Sequence, residues 1–178
     1  MRYLQEQSPR KYLKPGYFLY KLTSYTTGLF VTGSKEGKME KKKIMIVDDS
    51  GTMRLAIRSI INKDPALQVI CSAANGKEAL QKLSEVKPDV ILLDIEMPEM
   101  DGLEFLRHAR LRTRAKIIIL SSLVGSDHRR VGQALGLGAD AFVSKPSGSV
   151  SYDLEDRRSS EIFQAIYKVL GMEMSQEL

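Results

Sequence analysis

Four short apolar runs, each stopped by a polar residue, constrain this chain more than any other feature. Ile44-Met45-Ile46-Val47 runs into Asp48-Asp49, and Ile91-Leu92-Leu93 runs into Asp94. Ile117-Ile118-Ile119-Leu120 ends at Ser121, and Ala141-Phe142-Val143 ends at Ser144 and Lys145. Short runs that are apolar throughout, rather than alternating, belong to strands covered on both faces. Between them the period changes to that of a helix. Ser50 caps a first helix whose inner face is Met53, Ala56, Ile57, Ile60 and Ile61, and Asp64-Pro65 ends it. Leu67–Ala73 reads as a second strand, and Asn75-Gly76 opens a second helix with Ala79, Leu80, Leu83 and Val86 inward. Val90–Asp94 is the third strand, followed by a helix carrying Leu103, Leu106 and Ala109. Ala115–Leu120 is the fourth strand, and Asp127–Leu137 is the fourth helix, closed by Gly136 and Gly138. Ala141–Val143 is the fifth strand. Ser159 or Ser160 caps the fifth helix, with Ile162, Phe163, Ile166, Val169 and Leu170 on one face.

Strict alternation of strand and helix predicts an α/β protein with a parallel sheet and helices on both faces. Five strands of this kind fit a doubly wound five-stranded sheet of order 2-1-3-4-5, the flavodoxin-like arrangement. Ligands of such sheets sit beyond the carboxyl ends of the strands, where strands 1 and 3 meet. Those are the strands that end in Asp48-Asp49 and Asp94.

Charge separates the chain into parts. Residues 1–43 hold ten Lys/Arg against three Glu, whereas the rest holds seventeen Lys/Arg against nineteen Asp/Glu. The basic character therefore belongs to an extension and not to the folded body, which argues against nucleic acid as a partner. Residues 1–38, with Ser8-Pro9-Arg10-Lys11, Lys14-Pro15-Gly16 and Gly33-Ser34-Lys35, read as a disordered basic tail. The folded body is expected over 39–171, with Met39 as a natural start, and 172–178 as a short tail. No uninterrupted apolar run approaches the roughly 20 residues of a membrane span. The single cysteine, Cys71, excludes an intrachain disulfide, fits a reducing cytoplasm, and reads as a small hydrophobe on a strand.

Three carboxylates at one sheet edge repel one another, and their pKa values rise unless a cation joins them. A hard divalent ion resolves the conflict, because magnesium takes oxygen ligands and pairs one or two carboxylates with phosphate. The backbone carbonyl of Glu96, just past Asp94, offers a further oxygen. Lys145 adds a cation, and Ser121 a hydroxyl able to donate to a phosphoryl oxygen. Each residue alone has an ordinary alternative. Asp48-Asp49 suits a helix N-terminus, Lys145 before Pro146 suits a solvated turn, and Ser122 rivals Ser121. Together they suit in-line phosphoryl transfer to an aspartate.

Val47-Asp48-Asp49-Ser50, Leu93-Asp94-Ile95-Glu96-Met97-Pro98 with Met100-Asp101-Gly102, Ser121-Ser122 and Lys145-Pro146 resemble the signature of two-component response-regulator receiver domains. The resemblance implies that Asp94 is the phosphoacceptor, fed by a sensor histidine kinase. It makes Asp48, Asp49, Asp94 and the Glu96 carbonyl the Mg2+ ligands. Lys145 becomes the phosphate-contacting lysine, and Ser121 and Phe142 the switch pair that repacks a helix 4–strand 5–helix 5 surface for a downstream partner. It also implies a cis Lys145–Pro146 bond, and phosphate lifetimes tuned at Glu96 and Leu123.

A narrower likeness joins Asp49-Ser50 with Met53-Arg54, Ala73-Ala74-Asn75-Gly76, Ser121-Ser122-Leu123 and Lys145-Pro146-Ser147-Gly148-Ser149. These resemble the receiver half of chemotaxis protein-glutamate methylesterases. Those enzymes continue into a catalytic domain, and no glycine-flanked serine nucleophile with later His and Asp partners follows here. His108 and His128 are expected on helix surfaces. The expectation is therefore a non-enzymatic cytoplasmic receiver in chemotaxis-type signalling. The alternative is the regulatory fragment of a methylesterase.

Overall fold

The computed structural model describes residues 40–121, 127–145 and 152–173, with the side chains of 127, 128 and 152–158 also set aside. Ten elements alternate: β1 (Lys42–Val47), α1 (Gly51–Ile61), β2 (Leu67–Ala73), α2 (Gly76–Lys82), β3 (Val90–Asp94), α3 (Gly102–Ala109), β4 (Lys116–Ser121), α4 (Asp127–Gly136), β5 (Ala141–Ser144) and α5 (Tyr152–Leu170). The strands form one parallel sheet in the order β2-β1-β3-β4-β5, as the alternation predicts.

The sheet separates two cores because side chains alternate along each strand. Met45, Val47, Ile91, Leu93, Ile117 and Ile119 face one way, where Ala79, Leu80, Leu103, Phe105, Leu106 and Ala134 of α2, α3 and α4 cover them. Ile44, Ile46, Val90, Leu92, Ile118 and Leu120 face the other way, under Ile57, Ile61, Ile162, Phe163 and Ile166 of α1 and α5. Covering on both faces is why the stretches 44–47, 90–93 and 117–120 carry no polar residue.

Several boundaries differ from those expected. β1 begins at Lys42 because the backbone pairs whatever the side chain. Lys42 and Lys43 lie opposite Leu67 and Gln68, and the Lys43 N–H donates to Asp89 Oδ2 at 2.7 Å. Ala56 is exposed, so the buried stripe of α1 is narrower than its periodicity suggests. α4 runs through Gly136, and only Gly138 takes a positive φ, 100°, suited to closing a helix. α5 starts at Tyr152, well before the expected serine cap. Leu154, Glu155, Arg157 and Arg158 are strong helix formers that carry the helix upstream, and Ser159 is buried inside it. The extension expected at 1–38 and residues 174–178 of the tail expected at 172–178, together with Ser122, Leu123 and Pro146, lie outside the described residues.

Two polar knots brace the cores away from the carboxyl edge. Tyr167 of α5 donates its hydroxyl to Asp64 Oδ2 at 2.8 Å, and both residues are buried. Burial and that contact push the tyrosine pKa up to about 12. Asp140, just before β5, accepts from the Ile117 N–H at 2.8 Å, Lys116 Nζ at 2.9 Å and Arg110 Nη2 at 2.6 Å. Burial alone would raise the Asp140 carboxyl, but these three donors outweigh it and hold the group below the usual carboxylate range.

A carboxyl lowered in the fold stabilises the native state above its unfolded pKa and stops doing so as pH falls through the folded one. Asp140→Ala should therefore cost about 1–2 kcal/mol at pH 7, after allowance for solvent screening. In urea unfolding the gap to the wild type should narrow steadily as pH is lowered below 4. A gap that is constant with pH would contradict this account.

Candidate functional site

The carboxyl ends of β1, β3, β4 and β5 converge as the chain order demands. Asp48 follows the last residue of β1 and is fully buried. Asp94 ends β3 and Ser121 ends β4, and both are buried. Lys145 follows β5, is only partly exposed, and its N–H donates to the Ser121 carbonyl at 2.8 Å. Asp49 is exposed at the rim. Asp49, Asp94, Ile95, Glu96, Leu120, Ser121 and Lys145 line a cleft of about 320 Å³.

Every sequence-selected site residue except Phe142 therefore reaches this edge. Phe142 lies on β5 with 47% of its surface exposed and is not among the cleft residues. His108 is exposed on α3, as expected.

Electrostatics dominate the cleft. Asp48, Asp49 and Asp94 each bring a carboxylate oxygen within 4.8 Å of the others. The Lys145 ammonium lies 2.6 Å from Asp94 Oδ2 and 3.1 Å from Asp48 Oδ2. Asp48 Oδ1 accepts the Ser50 N–H at 2.9 Å, and Asp94 Oδ1 accepts the Glu96 N–H at 3.2 Å. Asp48 Oδ2 is buried without a hydrogen bond and has only the lysine charge beside it. Burial lifts the Asp94 carboxyl above the usual range, opposed by Lys145 and reinforced by the Asp48 charge. For Lys145, burial works against the charged form, but contact with both aspartates outweighs it and holds the ammonium protonated.

Among the described residues, three carboxylates against one ammonium leave the edge net negative. That all-oxygen donor set suits a hard divalent cation such as magnesium, which Asp48, Asp49 and Asp94 are placed to hold.

The backbone beneath the site is equally specific. Gly102 donates its N–H to the Ile95 carbonyl at 2.9 Å, and a methyl group at Gly102 would overlap the Asp94 carbonyl oxygen. Gly76 packs so closely that an added carbon would meet Met100 and Phe105. Both glycines fix the loop after β3 by close approach. Glu99 in that loop takes a φ of 64°, a left-handed conformation uncommon for a non-glycine residue.

The sequence reading missed two arginines. Arg54 of α1 donates to the carbonyl oxygens of Asp48 at 2.6 Å and Asp49 at 3.1 Å, which fixes the backbone that presents both carboxylates. Arg130 of α4 sits at the opposite rim, 2.8 Å from Asp101 Oδ2 and 3.5 Å from Glu96 Oε1. Arg54 lies five residues after Asp49 and meets backbone carbonyls rather than the carboxylates, so no side-chain pattern marks it. Arg130 carries no local signal, because its partners are 29 or more residues away.

The order of the sheet and its acidic carboxyl edge place the chain among the flavodoxin-like α/β proteins. Residues 44–151 match the family model of the response regulator receiver domain, and the chain belongs to that family. It is 43% identical over 131 residues to a protein-glutamate methylesterase/protein-glutamine glutaminase of Carboxydothermus hydrogenoformans, a match covering 74% of this chain and 37% of that protein. The chain thus spans little more than a third of that curated relative.

Among solved structures it is similar to the response regulator domain of Thermotoga maritima CheB, with 33% identity and a TM-score of 0.66 over 76% of this chain and 100% of that one. It is also similar to a chain of the CheX-CheY-BeF3-Mg2+ complex of Borrelia burgdorferi, with 27% identity and a TM-score of 0.62 over 74% of this chain and 90% of that one.

A carboxyl raised in the fold disfavours its ionised form there, so Asp94 costs stability at pH 7 and ceases to as pH falls below its unfolded pKa. Asp94→Asn should melt higher than the wild type at pH 7 in metal-free buffer, and the advantage should shrink towards pH 4. A lower melting temperature at pH 7 would refute the crowding account.

Proposed function

We propose that Asp94 is the phosphoacceptor of a phosphorelay receiver, charged by a sensor histidine kinase. One observation carries this reading. A buried strand-end carboxylate is held 2.6 Å from a lysine, with two further carboxylates within 4.8 Å of it. An Asp94 oxygen attacks phosphorus as the phosphorus–nitrogen bond to the donor's imidazole breaks; the electron pair returns to a ring protonated at its other nitrogen, which leaves as neutral imidazole. Lys145 stays protonated beside the incoming phosphoryl oxygens and offsets their charge. The Ser121 hydroxyl donates to one of them. Asp48, Asp49, Asp94 and the Glu96 carbonyl would hold Mg2+, which supplies charge neutralisation for phosphoryl transfer when bound. Support for the metal comes from the donor set and from the Mg2+ in the Borrelia burgdorferi relative's complex.

Phosphorylation draws Ser121 and Phe142 towards the cleft and repacks the α4-β5-α5 face, a switch between two packings that a downstream protein reads. The exposed Phe142 ring has room for that change. The likeness to methylesterase receivers favours chemotaxis-type signalling in the cytoplasm, with residues 39–171 as the receiver, 1–38 as an extension and 172–178 as a tail. Covalent chemistry on this reading is limited to the chain's own phosphorylation and dephosphorylation. No membrane or nucleic-acid contact enters the scheme, and no described helix is long and apolar enough to cross a membrane.

A second reading rests on the share of the relative that is matched. This chain corresponds to 37% of the Carboxydothermus hydrogenoformans enzyme, which suits the regulatory part of a protein-glutamate methylesterase. Phosphorylation-dependent binding to a separately supplied methylesterase catalytic domain would favour this second reading, and its absence would favour the first.

Radiolabelled acyl phosphate should label the wild type only with Mg2+ present. Asp94→Asn should take no label, and Lys145→Ala should label roughly 100-fold more slowly. Equal labelling of Asp94→Asn would overturn the assignment.

A further inference from the structure

The carboxylate of Glu96 has one described partner, and it comes from the other side of the cleft. Arg130 on α4 forks between Asp101 Oδ2 at 2.8 Å and Glu96 Oε1 at 3.5 Å. Asp101 is itself fixed, because its Oδ1 caps α3 by accepting the Glu104 N–H at 2.8 Å. The guanidinium is therefore anchored at Asp101 and free to orient the second carboxylate. Glu96 lines the cleft, and its N–H is tied to Asp94 Oδ1, yet its side chain is 61% exposed. Among the described residues no other cation or donor reaches its carboxyl group.

From this geometry we infer that Arg130 is a positioning residue that draws the Glu96 carboxylate to the α4 rim and keeps the mouth of the cleft open. The inference rests on the phosphoacceptor reading above and deepens it. An exposed pair of this kind adds little to stability, so its consequence lies in where the charge is held. Released from Arg130, the Glu96 side chain can swing across the cleft and bring a fourth carboxylate to Asp48, Asp49 and Asp94. That placement adds an oxygen ligand for a divalent cation and obstructs water approaching a phosphoryl group on Asp94. Because Arg130 rides on α4, a partner that shifts this helix also shifts Glu96. Phosphoryl lifetime and α4 binding then become linked in both directions.

The test is a double-mutant cycle read in two ways. Mg2+ affinity of the unphosphorylated protein is measured by calorimetry, and the first-order loss of phosphate from labelled protein is followed by its radioactivity. Arg130→Ala should bind Mg2+ about two- to fivefold more tightly and lose phosphate about two- to fivefold more slowly. Both changes should vanish in the Glu96→Gln background. Arg130→Lys, which keeps the charge but cannot fork between two carboxylates, should fall in between. A general field effect of the arginine would survive Glu96→Gln and be fully rescued by lysine, and that result would overturn the inference. So would wild-type constants for Arg130→Ala in a protein that labels normally. If Asp94 takes no label but the Glu96-dependent change in Mg2+ affinity remains, the phosphoacceptor reading falls and the positioning role stands.

Discussion

Mutual repulsion of three carboxylates at the end of a buried sheet is the constraint to which the rest of the structure answers. Asp48 and Asp94 are buried, and among the described residues a single ammonium, that of Lys145, reaches both. Such a charge cluster persists only if the surrounding fold supplies the free energy to hold it. Two apolar cores, one on each face of the sheet, supply it, and the stretches 44–47 and 90–93 stay apolar up to the position where the acid begins. Arg54 on the carbonyl oxygens and the close approach of Gly102 then fix where the carboxylates point.

Receiver function, on this view, exploits an imbalance that the fold maintains. The buried Asp48 oxygen without a hydrogen bond and the raised Asp94 carboxyl both record an environment that favours added positive charge. On the proposed reading a divalent cation and the protonated lysine would meet that need, and they are the partners that an incoming phosphoryl group also requires. The same electrostatic deficit that strains the resting site therefore prepares it for phosphate.

Most of the frame was legible in the sequence because it rests on patterns local to each segment. An apolar run ended by an acid marks a buried strand and its functional end together, which is how Asp48, Asp49, Asp94, Ser121 and Lys145 could be grouped before any coordinates. Sheet order followed from alternation and handedness. What escaped was whatever depends on distant partners. Arg130 meets Asp101 from another element, Asp140 gathers donors from α3 and β4, and Phe105 fills the core beneath Gly76. The start of α5 was misplaced for a different reason. A serine pair that resembles a cap lies inside a stretch whose helix propensity runs further upstream, and a buried Ser159 gives no outward sign of it.

The sheet also acts as a bulkhead. Alternate residues of one strand, such as Ile117 and Ile118, belong to different apolar compartments, the first with α2, α3 and α4 and the second with α1 and α5. Substitutions in separate compartments share no side-chain neighbours and should combine additively in their effects on stability. A change in the packing of α2, α3 and α4 can thus be absorbed on its own side of the sheet without repacking α1 and α5.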